Sequence, residues 1–407
     1  MKMFLSLAWR NIWRNKKRSI ISIVSVMLAV VIALATRSMQ LGFYSNSIDN
    51  VVSFYSGYIQ IHAPGYWEKQ SLNNSFIFSD SLVNEVENTN FVTFTAPRIE
   101  SFALVSAGEN TDGALIIGID PELEDHLTGL KEKVTFGRYF DSEDNGIILA
   151  EGLAKHLKLN VGDTVVVLGQ GYHDVMAAGK YEMVGLVKYP TSELNNGIAY
   201  LTMNEAQNLF VAYNRITSLV VMIDGYDKLS TVENSLKSKY GTDYEILTWE
   251  AMMPELVQSI ETDNAGGLIM LFIIYMVVGF GILGTVLMMT MERTREFGML
   301  IAVGMKRSYL RAVLVIESIL LSFIGVIAGI ILGIPVLIYF NINPLRLTGE
   351  AAKLTLEYGF EPIFPFSLEP MIFINQAIIV LIIALIAATY PVWKISKIEP
   401  VSAIREG

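Results

Sequence analysis

Four long apolar runs constrain this chain more than any other feature of it. Crossing about 30 Å of hydrocarbon takes about 20 helical residues, and stretches of that length lie at 19–43, 265–291, 312–340 and 371–393. Arg37 and Glu317 are the only charged residues inside them. The composition agrees: 17% of the 407 residues are charged, against about 25% in an ordinary soluble protein, and the mean hydropathy is +0.44. The expected fold class is an α-helical membrane protein with four transmembrane helices plus a large α+β extracytoplasmic domain of two lobes between helices 1 and 2.

Charge fixes the expected orientation. Lys2, Arg10, Arg14, Lys16, Lys17 and Arg18 precede the first run with no acidic residue among them. Arg293, Arg295, Lys306, Arg307 and Arg311 lie between the second and third, and Lys394, Lys397 and Arg405 follow the fourth. Short basic loops stay in the cytoplasm, so 1–18, 292–311 and 394–407 are assigned there. The 44–264 segment, with 31 acidic and 13 basic residues, and the 341–370 loop then face the periplasm of a bacterial inner membrane. Both termini fall on the cytoplasmic side.

The first run has a competing reading as a signal peptide, because Ala33, Leu34 and Ala35 form an A-x-A pattern. Against cleavage, helical spacing puts Phe4, Leu5, Ala8, Trp9, Ile12 and Trp13 on one face of residues 1–18. That pattern reads as an interfacial amphipathic helix leading into an uncleaved anchor.

Between 44 and 264 the sequence changes to short runs rich in Val, Ile, Thr and Tyr, such as 58–63, 114–119, 146–150, 164–169 and 219–223, which read as strands. Helical patterns intervene at 81–88, 151–159, 204–210 and 228–240. About 220 residues can bury a core of their own, and the natural division is an inserted lobe at about 100–212 with 44–99 and 213–262 paired into a second.

Several chemistries are excluded or disfavoured. A net charge of −10 argues against nucleic acid, and the absence of cysteine removes disulfides, thiolate metal sites and a cysteine nucleophile. His62, His126, His156 and His173 have no ligand-like spacing, so no metal or catalytic residue is assigned. There is no G-x-x-x-x-G-K-[ST] loop and no G-x-S-x-G elbow. Glu122, Glu124 and Asp125, like Asp141, Glu143 and Asp144, read as solvated loop charges. Gly279, Gly281 and Gly284 match G-x-G-x-x-G in the middle of an apolar run, where helix packing is the expected role. Gly325, Gly329 and Gly333 make a small-residue groove suited to packing within the chain or to a subunit interface. Pro335 is expected to kink that helix. Glu317 is expected to snorkel or to pair with Arg311.

The 292–311 segment carries the sharpest functional signal. Glu292, Arg293, Arg295 and Glu296 precede Phe297, Leu300 and Ile301, and Gly304 ends a short amphipathic helix, a docking surface for a soluble partner. Glu292, Arg293, Glu296, Gly298, Leu300, Ala302 and Gly304 resemble the E-R-x-x-E-x-G-x-L-x-A-x-G signature of four-span ABC transporter permeases of the MacB/FtsX superfamily. The 7–19 segment and Pro400, Ala403, Ile404, Arg405 and Glu406 are similar to that family's termini. The large outward domain and the segments 57–68, 117–124 and 168–172 look most like LolC/LolE-type lipoprotein-releasing permeases.

That resemblance implies a permease working by mechanotransmission, with Glu292, Arg293, Arg295, Glu296, Phe297, Gly298, Leu300 and Gly304 coupling it to a separate cytoplasmic ABC ATPase. ATP and magnesium would sit on that ATPase, with no cofactor on this chain. It further implies a second permease subunit, identical or homologous, a periplasmic carrier or adaptor, and a lipoprotein or other amphiphilic substrate. The substrate's acyl chains would lie between the first and second spans, against Met27, Val31, Leu34, Met39, Phe43, Met270, Ile274 and Val278. MacB-like efflux of peptides or drugs and FtsX-like regulation of an extracytoplasmic enzyme are the alternatives, and a membrane-anchored hydrolase is disfavoured.

Overall fold

The computed structural model describes residues 2–14, 16–141, 143–189, 192–357 and 362–397; Pro400, Ala403, Ile404, Arg405 and Glu406 lie outside the described residues. The chain divides into a helical unit, Met1–Ser45 with Ser259–Arg346 and Ile363–Gly407, and an α/β unit, Asn46–Gln258 with Leu347–Pro362.

Among the described residues four helices are long and apolar enough to cross a membrane: Ser19–Val51, Pro254–Glu292, Arg307–Ile342 and Pro370–Ser396, here spans 1 to 4. Spans 1 and 2 run farther than hydropathy marks. Asp49, Glu255, Glu261 and Asp263 end the apolar runs, but no glycine or proline lies between 43 and 51 to end the helix. The 39 residues of span 2 reach about 58 Å at 1.5 Å per residue.

Spans 1 and 3 pack by a glycine seam. A Cβ added at Gly325 would lie 2.7 Å from the Val26 Cβ, and one at Gly329 would lie 2.7 Å from the Val30 Cβ; at Gly333 the nearest atom is Leu34 Cδ1 at 3.2 Å. The groove is thus filled within the chain, by a ridge on span 1 with the same four-residue spacing. Val278, Ile282 and Val286 of span 2 cluster with Val380, Ala384 and Ala387 of span 4. Of the G-x-G-x-x-G residues only Gly279 approaches another helix, at Ile383; Gly281 and Gly284 face open space, so packing within this chain accounts for one of the three. At one end of the bundle, Arg37 donates to Gln40 and Asn264, and the Tyr44 hydroxyl donates to Asp263 at 2.6 Å. These bonds tie spans 1 and 2 where the apolar runs stop.

The N-terminal helix Lys2–Arg14 divides its apolar face. Ala8 and Ile12 are buried, with Ile12 against Met289 of span 2 and Leu321 of span 3, whereas Leu5, Trp9 and Trp13 are exposed. The helix therefore packs on protein along one stripe, a feature amphipathicity alone does not distinguish from a lipid face.

In the α/β unit ten strands form one sheet. From one edge the order is Glu245–Thr248, Ile59–His62, Ser218–Ile223, Val92–Ala107, Asn110–Ile119, Ile198–Thr202, Gly146–Ala150, Met176–Val187 and Val134–Gly137. Thr164–Gln170 pairs with both Val92–Ala107 and Met176–Val187, which closes six strands into a ring. Two lobes exist, with separate cores: Ile99, Val105, Ile116, Leu149, Val167 and Leu201 lie in the ring's core. Ile59, Ile61, Leu219, Val221, Val232 and Leu236 lie in the core of the flanking lobe. The 16-residue strand Val92–Ala107 belongs to both lobes, so they share a sheet rather than a linker.

Arg98 marks the junction, opposite Ser218 on one side and Ile119 on the other. Its buried guanidinium donates to both oxygens of Glu124, at 2.9 and 2.7 Å. This corrects the reading of Glu122, Glu124 and Asp125 as loop charges. They lie on the helix Pro121–Thr128, capped by Asp120, and Glu124 is a buried partner of a cation 26 positions earlier. Asp144 is likewise paired, with Arg138.

Candidate functional site

The segment after span 2 folds as a helix, Thr294–Ala302. Its end is set by backbone chemistry: Gly304 N donates to Ile301 O at 3.0 Å and Met305 N to Leu300 O at 2.9 Å. Gly304 has φ +102°. This is a Schellman closure, which needs a residue tolerant of positive φ after the last helical turn. A Cβ on Gly304 would meet nothing within 4 Å among the described residues, so conformation, not space, demands the glycine.

The helix has two faces. Phe297 and Gly298 are buried, and Phe297 clusters with Leu310 and Leu314 of span 3 and Ile395 of span 4, with Ile301 packed beside them. Facing outward are Met299 and Leu300 of the helix, Val303 and Met305 just after it, and Tyr309 at the start of span 3, with Val303 88% exposed. The expected apolar edge of Phe297, Leu300 and Ile301 is therefore divided: two residues anchor the helix and one joins the exposed patch. Glu292, Arg295 and Lys306 are exposed beside it.

Charged groups tie this helix to two others. Arg14 of the N-terminal helix donates to both carboxylate oxygens of Glu296, at 2.9 and 2.6 Å. Arg293 Nε donates to Glu296 Oε2 at 3.3 Å, and Arg293 Nη1 donates to Glu317 Oε2 at 3.0 Å. Asn11 also reaches Glu317, at 3.4 Å. Burial alone would raise the Glu296 carboxyl, but the bond and charge of Arg14, with Arg293 adding to them, hold it below the usual carboxylate range. Glu317 thus pairs with Arg293 rather than Arg311, whose Nε is buried without a partner among the described residues. Sequence gave no signal for the roles of Arg14 and Asn11, nor for the display of Met299, Val303, Met305 and Tyr309.

The residues proposed to meet acyl chains are dispersed. Leu34 and Val278 are buried in the helical core; Met39 and Ile274 pack on its margin. Met27 and Val31 are half-buried, and Met270 is exposed. Phe43 stacks on Phe364 with ring centroids 5.0 Å apart. Leu34 and Val278 are thus buried by packing within one chain. Among the described residues no cluster of His, Asp and Glu could hold a metal ion.

The FtsX-like permease C-terminal family matches residues 268–400, and the MacB-like periplasmic core domain family matches residues 19–239. The lipoprotein-releasing system transmembrane protein LolC of Xylella fastidiosa (strain 9a5c) is 23% identical over 403 residues, covering 95% of this chain and 93% of its own. LolC of Neisseria meningitidis serogroup B is 23% identical over 99% of this chain and 100% of its own. The macrolide export ATP-binding/permease protein MacB of Aggregatibacter actinomycetemcomitans is 22% identical over 78% of this chain but 50% of its own length.

Proposed function

Because the chain belongs to the ABC permease family that joins a MacB-like periplasmic core domain to an FtsX-like C-terminal half, we propose that it is a permease subunit acting on lipoproteins in a bacterial inner membrane. The observation that carries the reading is the helix Thr294–Ala302. It is anchored through Phe297 to spans 3 and 4, closed by Gly304, and offers an apolar patch to a partner. An anchored helix beside an exposed apolar patch is a docking element for a folded protein. Its basic surroundings support a cytoplasmic side for it and for both termini. The occupant is an ATPase, which supplies the ATP and magnesium chemistry this sequence has no phosphate loop to perform.

On this reading a second permease subunit completes the assembly, and the α/β unit lies in the periplasm, where it meets a carrier or adaptor. Lipoprotein release is supported by the relatives named LolC, which align over nearly the whole chain. Export of a peptide or drug is the second reading, favoured by the MacB match.

The test is mass spectrometry of the complex purified in mild detergent through a tag on this chain. A P-loop ATPase together with acylated lipoproteins supports release. An ATPase with an adaptor and no lipoprotein favours export, and no ATPase at all refutes the permease reading. Val303→Glu, at an exposed position, is expected to lose the ATPase while the chain still folds.

A further inference from the structure

We propose that Arg293 is a pivot that makes the docking helix move with span 3, and that Arg14 and Glu296 form a latch that must open for ATP turnover. The proposal rests on the docking reading above. It comes from the unequal burial of three linked ion pairs.

The inner pair cannot separate cheaply. Glu317 is buried, 1% exposed, in a membrane-spanning helix, where a carboxylate requires a partner. Its Oε2 is held by Arg293 and Asn11, and its Oε1 is buried with no partner among the described residues. Removing Arg293 would leave a charge in low dielectric with a single amide for support, the costliest way to break an ion pair. Arg293 is itself fixed from the other side, its guanidinium 5.1 Å from the centre of the Phe297 ring. Since Arg293 immediately precedes Thr294, the start of the docking helix and span 3 are bound to move together.

The outer pair is different. Arg14 and Glu296 form a two-pronged bond, but their side chains are 57% and 41% exposed, and ion pairs so hydrated contribute little net stability. The N-terminal helix also has independent anchors, Ile12 on Met289 and Leu321. It can therefore remain in place while Glu296 departs. Arg293, bonded to both carboxylates at once and backed by Phe297 packed on spans 3 and 4, keeps the docking helix with span 3 when the latch opens.

The chain contains no cysteine, which makes the latch directly testable in the full-length protein co-purified with its ATPase. Arg14→Cys and Glu296→Cys are introduced together and bridged with a short bismaleimide, and ATP hydrolysis is compared in the same preparation before and after bridging. Bridging is expected to occur and to lower turnover by at least about tenfold while the ATPase stays bound. Turnover already lost before bridging, turnover that survives bridging, or thiols that do not bridge, overturns the latch. For the pivot, Arg293→Glu is expected to lose turnover and its combination with Glu317→Arg to restore it; a double variant no better than the single overturns the pivot. If the unaltered chain captures no ATPase, the docking reading itself falls and the pivot falls with it.

Discussion

Gly329→Ala offers a sharp test of the helical packing, because a single methyl group is placed against a known obstacle. The new Cβ would lie 2.7 Å from Val30 Cβ, 2.8 Å from Val30 Cγ1 and 3.0 Å from Met27 O. Carbon atoms settle about 3.5–4.0 Å apart, so spans 1 and 3 must separate by roughly 1 Å, and a gap of that size forfeits about a quarter to a half of the dispersion energy of each facing contact. The expected loss is about 2 kcal/mol, within the range for overpacked sites, or roughly 4–8 °C in melting temperature for a unit of this size. Gly284→Ala is the internal control, since its Cβ would meet nothing within 4 Å. Gly333→Ala should be mild, because its obstacle is the far end of the flexible Leu34 side chain. Thermal unfolding in detergent, followed by fluorescence, ranks the three. If Gly329→Ala melts with the unaltered protein, the seam between spans 1 and 3 is wrong.

Three more expectations follow from the structure. Burial holds His62 down at about 4, against an ordinary 6.5, although its bond to the Thr217 carbonyl works the other way. The folded state resists a proton that the unfolded chain accepts below pH 6.5, so His62 contributes stability above that pH and loses about 2 kcal/mol of it between pH 7 and 4.5. His62→Gln should flatten the melting-temperature profile over that interval, and an unchanged slope refutes the assignment. Arg98→Ala strips the buried Glu124 of its cation and should cost about 3–5 kcal/mol, measured by denaturant unfolding; a loss below about 1 kcal/mol would contradict the buried pair. Gly304→Val forces a branched residue to positive φ, costing at least about 1–2 kcal/mol locally. It should weaken ATPase capture without lowering the melting temperature of the α/β unit, and capture at the unaltered level argues against the closure's importance.

Features written in contiguous residues were legible in the sequence, and features made by distant partners were not. The four apolar runs located the spans because a bilayer selects for uninterrupted hydrophobicity, and Gly304 announced the end of the docking helix. The closure of Val92–Ala107 with Thr164–Gln170 joins segments about 60 residues apart, which alternation of residue types does not encode. Glu124 looked solvated because an acidic cluster usually is; only the folded chain brings Arg98 to it. Glu317 is expected to snorkel or to pair with Arg311, its neighbour in sequence, whereas the helix turn after span 2 delivers Arg293 instead. Phe297 and Val303 illustrate the same limit within seven residues of chain: both are apolar, and which of them faces spans 3 and 4 depends on where Leu310 and Ile395 sit.

The closed ring of strands has its two ports side by side. The chain passes Arg98 on the way in and Thr217 on the way out, and these are joined by a 2.9 Å bond from Thr217 N to Arg98 O. Everything between them leaves and rejoins the flanking lobe at one point, yet it is not severable there: Glu124 neutralises Arg98, Ile216 pairs with Phe76, and Leu127 packs with Ala96 and Val220. Trimming the ring past the helix Pro121–Thr128 would leave the Arg98 charge buried and unpaired, so the flanking lobe depends on that helix whatever happens to the rest of the ring.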